Sequence, residues 1–300
     1  MSGRIVITGG GGQLGTCLAA LAAGQGRDVL AYTSTEWDIT DPAAAQRIGG
    51  GDVVINCAAY TDVDGAESDE AGAYAVNAAG PEHLARACAR VGARLIHIST
   101  DFVFSGAGGP RPYEPSDDTD ARGVYALSKL AGERAVLAAL PEPAQGIVVR
   151  TAWLYTGGTG KDFVAVMRRL AAGDGPIDVV DDQAGSPTYV GDLAGALLQV
   201  VDFCVPGPVL HAANEGAVSR FEQARAVFEE CGADPARVRP VSTDQFPRPA
   251  PRPTYSALGS RESAAAGLTP LRPWRPALVA ALAASASNAV ADRPLPSTRD

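Results

Sequence analysis

Tyr125 and Lys129 stand four residues apart in Val124-Tyr-Ala-Leu-Ser-Lys129. On a helix that spacing puts both side chains on one face. A tyrosine phenol titrates near ~10 and is a poor acid or base at neutral pH. A neighbouring ammonium favours the phenolate, so Lys129 is expected to lower the Tyr125 pKa. The phenol then hands its proton to an oxygen that is gaining negative charge. Upstream, Ser99-Thr100-Asp101 closes a run rich in Ile. A Thr100 hydroxyl at the end of such a strand is placed to hydrogen-bond the same oxygen.

A pair of this kind needs a partner that delivers electrons, and the N-terminus offers a place for one. Ile5-Val-Ile-Thr-Gly-Gly-Gly-Gly-Gln-Leu-Gly15 reads as strand, glycine turn and helix start. Gly9, Gly12 and Gly15 fall in GxxGxxG spacing, with Gln13 and Leu14 opening the helix. Glycines so spaced permit a tight turn and close approach of backbone to a pyrophosphate. The N–H groups of the following helix then face the phosphates. A lone glycine motif is weak evidence, but after the first strand of a βαβ run it is strong. The expected cofactor is a nicotinamide dinucleotide, whose oxidised ring would further favour the phenolate. At the second strand end, Ala31-Tyr-Thr33-Ser-Thr35 contains neither an acidic residue nor an arginine. NADPH and NADH are therefore both compatible with it. Thr33, Asp38 and Ile39 fall where the adenosine would lie. Ala58, Ala59, Tyr60 and Thr61, after the third strand, pass along the cofactor.

The elements that must hold these groups are short Val- and Ile-rich runs alternating with alanine-rich ones. Strands are expected at Arg4–Thr8, Asp28–Tyr32, Asp52–Cys57, Arg94–Ser99 and Gly146–Thr151. Helices are expected at Gly12–Ala23, Pro42–Ile48, Glu70–Val91 and Tyr125–Leu140. Strands apolar on both faces belong to a parallel sheet covered on each side. The fold class is α/β, a Rossmann-type doubly wound parallel sheet with a smaller C-terminal substrate-binding lobe. Residues 1–175 form the dinucleotide-binding part, and a strand near 207–213 is expected to rejoin its sheet. Residues 176–287 form mainly the substrate lobe. Prolines cluster at 240–253 as extended segments, a last helix is expected at Ala277–Ala284, and 288–300 reads as a frayed tail.

Among the 300 residues, 25 are basic and 34 acidic, a net charge of −9. Such a chain is a poor partner for nucleic acid. Cys17, Cys57, Cys88, Cys204 and Cys231 are widely spaced, and His83, His97 and His211 are scattered. They read as reduced thiols with no zinc-site spacing. The uncharged stretch Ile5–Gly26 is too rich in glycine for a signal helix or membrane span. A cytoplasmic protein is expected, with no membrane partner and no metal.

These elements together resemble the extended short-chain dehydrogenase/reductases. More narrowly, the chain is similar to the dTDP-4-dehydrorhamnose reductases of actinobacterial type. The resemblance rests on Ile55–Glu67, Ser99–Phe104, Val124–Glu133, Arg150–Trp153 and Asp182–Thr188, in family order from about residue 4 to 282. It implies NAD(P)H-dependent reduction of the C4 ketone of dTDP-4-keto-6-deoxy-L-mannose, the last step toward dTDP-L-rhamnose. In that reading Tyr125 protonates the alkoxide and Lys129 holds the nicotinamide ribose. Thr100 and Asp101 meet the sugar, Trp153 packs on it, and Arg252 in Arg252-Pro-x-x-Ser-x-Leu258 meets the diphosphate. Two departures stand out. Phe102 and Ser105 replace a common Tyr and Asp, and Phe102 cannot be the acid of a dehydratase. Cys17, Gly191 and Arg275 occupy positions where some relatives hold a bridging magnesium through glutamates, so a monomer or weak homodimer is expected. The alternatives are a reductase of another dTDP-4-keto-deoxysugar and a non-catalytic NAD(P)-binding regulatory subunit.

Overall fold

A computed structural model describes residues 3–291 except Gly108, Pro110, Pro143, Thr159 and Cys204. The N-terminal strands are β1 (Ile5–Thr8), β2 (Val29–Tyr32), β3 (Val53–Asn56), β4 (Arg94–Thr100) and β5 (Gly146–Thr151). A sixth, Val209–His211, pairs with β5. The sheet order is Val209–His211, β5, β4, β3, β1, β2, and every pairing is parallel. The chain leaves β1 for β2 on one side and β3 on the other. The carboxyl ends of β1 and β3 therefore flank the switch point where doubly wound sheets bind ligands.

Alternation within the strands divides the core. Ile5, Ile7, Ile55, Ile96, Ile147 and Val149 face one side, against Leu14 and Leu18 of α1 (Gln13–Gly24) and the apolar stripe Leu193–Val201 of a later helix. Val6, Val54, Leu95 and Val148 face the other. There they meet Leu84 and Cys88, and Val136 of a further helix. Helix α2 (Glu70–Tyr74) runs through a π turn at Ala75–Ala79 into α3 (Gly80–Val91), which carries Leu84 and Cys88. Helix α4 (Val124–Ala139) carries Val136, and α5 is Phe163–Ala171. The later helix is α6 (Val190–Phe203), and α7 is Arg220–Glu230. Burial on both faces is why these strands carry continuous apolar runs.

Three expectations are corrected. Pro42–Ile48 is not an α-helix: only a 3-10 turn at Ala44–Arg47 forms, preceded by an Asp41 carboxylate that accepts the Ala43 N–H. Four residues cannot repay the nucleation cost of an α-helix. The Glu70–Val91 helix is interrupted by its π turn. The last helix runs Trp274–Ala291, so 288–291 are helical and only 292–300 lie outside the described residues. In the second half, Ile177–Val180 pairs in parallel with Val238–Val241. Around them Val164, Met167, Val227, Phe228 and Leu278 form a separate apolar cluster.

Beneath α4 lies a buried ion pair. Arg150 of β5 donates from Nε and Nη2 to the two carboxylate oxygens of Glu133, at 2.9 and 2.7 Å. Both side chains are at most 5% exposed. Removing one partner of such a pair strands a charge and costs about 3–5 kcal/mol. Arg150→Leu is expected to lose about that much in chemical denaturation, and Arg150→Leu with Glu133→Leu to recover most of it. Equal losses in the single and double variants would refute the assignment.

Candidate active site

Helix α4 starts at a loop in which Gly123 has φ +82° and the Val124 N–H is capped from afar by Glu67 Oε1 at 2.8 Å. The helix therefore begins at Val124, and Tyr125 in its first turn lines the same cavity as Thr100 at the end of β4. Lys129, one turn on, is buried and donates from Nζ to the Ile98 carbonyl at 2.7 Å. The Ser128 hydroxyl donates to the Tyr125 carbonyl at 2.8 Å and accepts from Asn77 Nδ2 at 3.1 Å. Asn77, in the π turn, also brackets Tyr60 through its N–H (2.9 Å) and carbonyl (3.1 Å). A Cβ on Gly132 would stand 2.1 Å from the Asn77 carbonyl. The helix thus meets the π turn in direct backbone contact.

Thr100 ends β4 and lies within hydrogen-bonding reach of the Tyr125 phenol. Its hydroxyl also lies 3.2 Å from Asp101 Oδ1 and accepts the Phe102 N–H. The Phe102 ring meets the Tyr125 ring edge-on, 5.7 Å between centroids. Asp101 is buried, and Ser256 donates to its Oδ2 at 2.5 Å. Burial pushes this carboxyl up to about 6, against hydrogen bonds from Ser256 and Thr100 and the charge of Arg220.

The expected lowering of the Tyr125 pKa is not what the geometry gives. Burial pushes the phenol up to about 12, with the Thr100 hydrogen bond opposing and the Asp101 charge adding to the rise. Lys129 spends its near contact on the Ile98 carbonyl, and burial pushes it down to about 8. Tyr125 is therefore protonated at neutral pH, the state a proton donor requires.

One cavity of about 1020 Å³ joins these groups to the glycine turn. It is lined by Gly9, Gly12, Gln13, Leu14 and Gly15, by Thr33, Asp38 and Ile39, and by Ala58, Ala59, Tyr60 and Thr61. Thr100, Asp101, Tyr125, Lys129 and Trp153 complete it, whereas Arg252 does not line it. Gly9 has φ +71°, and a Cβ there would stand 2.5 Å from the Ala58 nitrogen. A Cβ on Gly15 would stand 2.3 Å from the Gly9 carbonyl. Among the described residues no side chain caps α1, and Gly12 to Gly15 at its start line the cavity. Trp37 lines the cavity as well, and its buried Nε1 has no partner among the described residues. These features fit a dinucleotide.

Besides Trp37, four residues escaped the sequence reading. Lys161 lines the cavity from a loop far along the chain. Asn77 gave no signal, because a π turn has no distinctive spacing. Glu36 lies one residue beyond the segment searched for a ribose ligand. Its carboxylate folds back to accept from the Thr33 N–H (2.9 Å) and hydroxyl (2.8 Å), which holds it below the usual carboxylate range. Thr33-x-x-Glu36 is a capping-box spacing, the signal that could have found it. Arg220 stacks on Trp153, its carbon 3.4 Å from the ring centroid. Trp153 is the one non-glycine residue at positive φ among those described (+48°), and a Cβ on Gly185 would stand 2.6 Å from its indole.

At the positions linked to magnesium, Gly191 packs beneath the Tyr189 ring and Arg275 is paired with Glu229 and Glu230. Among the described residues no three metal-ligating side chains cluster.

The RmlD substrate binding domain family matches residues 3–287. The chain belongs to this family. It is 75% identical over 303 residues to a dTDP-4-dehydrorhamnose reductase of Mycobacterium tuberculosis, covering 100% of this chain and 99% of that one. The crystal structure of a dTDP-4-dehydrorhamnose reductase from Clostridium acetobutylicum superimposes with a TM-score of 0.86 at 36% identity, covering 94% of this chain and 99% of that one. That of the Bacillus anthracis enzyme in complex with NADP gives 0.85 at 36%, covering 93% and 98%. The α/β fold of the chain is that of these Rossmann-type enzymes.

Two outcomes follow from the site. Lys129 has its folded pKa near 8 against an ordinary 10.5, so between these values the unfolded chain binds more protons. Stability of the unmodified chain should therefore rise with pH across that window relative to Lys129→Met. Denaturation at pH 7.5 and 10 tests this, and a difference that stays flat or falls would refute it. Glu36 does not itself line the cavity but grips Thr33, which does, at the end of β2, where a carboxylate opposes a 2′-phosphate. Glu36→Gln should thus strengthen NADPH binding severalfold relative to NADH, measured by fluorescence titration. An unchanged ratio would remove Glu36 from cofactor choice.

Proposed function

We propose that the chain is a dTDP-4-dehydrorhamnose reductase. It reduces the C4 ketone of dTDP-4-keto-6-deoxy-L-mannose with NADPH or NADH and yields dTDP-L-rhamnose. The observation that carries this reading is the convergence of Thr100, Tyr125 and Lys129 in a cavity continuous with the glycine turn. The family and the 75% identical relative support the sugar.

The bound reduced nicotinamide supplies the hydride. Thr100 donates a hydrogen bond to the ketone oxygen and holds it beside the Tyr125 phenol. Tyr125, protonated at neutral pH, gives its proton to that oxygen as charge develops on it. The Lys129 ammonium then offsets the negative charge left on Tyr125. Trp153 and Asp101 border the sugar, and Arg252 lies toward the nucleotide end. Gly9, Gly12, Gln13, Leu14 and Gly15 hold the pyrophosphate. Thr33, Asp38 and Ile39 hold the adenosine, and Ala58 to Thr61 the remainder. Residues 1–175 act as the dinucleotide half and 176–287 as the substrate lobe. The enzyme works in the cytoplasm as a monomer or weak homodimer, without metal, membrane or nucleic acid. No helix among the described residues is long and apolar enough to cross a membrane.

The test is oxidation of NADPH and of NADH by the purified protein with the 4-keto substrate, and chromatography of the product against dTDP-L-rhamnose. Tyr125→Phe should lower kcat by about 10²–10⁴ while dinucleotide affinity holds. A different product, or Tyr125→Phe turning over normally, would refute the reading.

A further inference from the structure

Arg220 is the first residue of α7, and its backbone is fixed. Ser219 and Glu222 form a reciprocal capping box, and the Ser219 hydroxyl donates to Asp181 Oδ1 at 2.6 Å. The Arg220 N–H donates to the Gln183 carbonyl. From this anchored start the guanidinium lies over Trp153, and 4.9 Å from the centroid of Phe163. Its polar partner is neutral, the Gln223 side-chain oxygen at 3.3 Å. It forms no ion pair among the described residues. Burial at the positive end of a helix is a costly setting for a cation, and the two aromatic faces offset only part of that cost. Desolvation shows the cost, pushing the guanidinium down to about 9.

The surroundings do not balance this charge. Arg252 lies near enough to oppose it. Arg252 and Arg248 share a single carboxylate, Asp64, at 3.0 and 3.3 Å. Asp101 attracts Arg220, but its oxygens are already engaged by Ser256 and Thr100. Among the described residues Arg248 and Arg252 are paired while Arg220 has no carboxylate of its own, a cation left over in a chain whose net charge is −9. A local cationic surplus in an acidic protein is a recognition site for an anion. Trp153 and Asp101 line the cavity, whereas Arg220, Arg248 and Arg252 do not, so Arg220 stands just beyond its wall, on Trp153.

We propose that Arg220 is a substrate-binding residue whose guanidinium, with that of Arg252, clamps the diphosphate of the nucleotide sugar. The assignment rests on the reading that the substrate is a nucleoside-diphosphate sugar. The Trp153 stack holds the guanidinium plane in place before the ligand arrives, so little rotamer freedom is lost on binding. The same stack couples the clamp to the sugar wall: an anion gripped by Arg220 is held in register with Trp153.

Calorimetric titration of the full chain with dTDP, dTMP, UDP and NADPH tests the clamp. Arg220→Gln should lower dTDP affinity by roughly tenfold to a hundredfold, the range for a lost charge-assisted hydrogen bond. The loss for dTMP, with one phosphate, should be smaller, and NADPH affinity should hold. Arg220→Lys, which keeps the charge, should recover part of the dTDP loss. Equal dTDP affinity in the parent and Arg220→Gln would overturn the proposal. So would parallel losses of dTDP and NADPH affinity with a lower Tm in both variants, which assigns Arg220 to packing Trp153. If the parent prefers UDP and Arg220→Gln weakens UDP in the same way, the clamp stands and the dTDP reading fails. A parent that binds no nucleoside diphosphate overturns both.

Discussion

Charge buried on one stripe of α4 sets the position of the rest of the site. Tyr125, Lys129 and Glu133 follow one another at four-residue intervals and all face the sheet. Among the described residues Glu133 pairs with Arg150 of β5, and Lys129, which also feels the Glu133 charge one turn on, donates to the Ile98 carbonyl of β4. A buried charge without its partner costs several kcal/mol, so the helix has one permitted rotation and one permitted height. Gly132 allows the approach that this height demands. The phenol of Tyr125 is then carried to the end of β4, within reach of Thr100. Catalytic placement here is a by-product of satisfying charge.

The same constraint explains the protonation of the site. A lysine beside a tyrosine in sequence suggests that cation and phenolate stabilise each other. In the fold, both groups are desolvated, and desolvation moves each toward its neutral form. Tyr125 keeps its proton more firmly and Lys129 holds its own less firmly. The arrangement favours a reaction in which Tyr125 starts as donor. Asp101, which burial raises only to about 6, stays largely ionised at neutral pH, and its charge helps to keep the proton on Tyr125.

The sheet and the glycine turn were legible because they depend on local properties. Period-two burial on both faces, and glycines at positions where a Cβ would strike backbone, write themselves into the chain directly. Seventeen of the residues assigned to the site, from local pattern or from the family resemblance, line one cavity. What escaped depends on geometry over distance. Glu36 acts through a turn that brings it back three residues. Asn77 acts through a π turn that no periodicity announces. Arg220 reaches Trp153 across 67 residues of chain, with no motif linking them. The short segment Pro42–Ile48 has helical composition but too few residues to nucleate. The final helix outruns its expected end because its alanines favour helix.

The strand Val209–His211 has a consequence for how the molecule comes into being. It covers β5, and Ala212 and Val148 complete the backbone pairing on either side. Until residue 211 leaves the ribosome, β5 is a bare sheet edge, an invitation to pairing with other chains. The nucleotide-binding half is therefore not a finished object that a later half is added to. The sheet closes from both directions in sequence, and the two halves of the gene are bound to travel together.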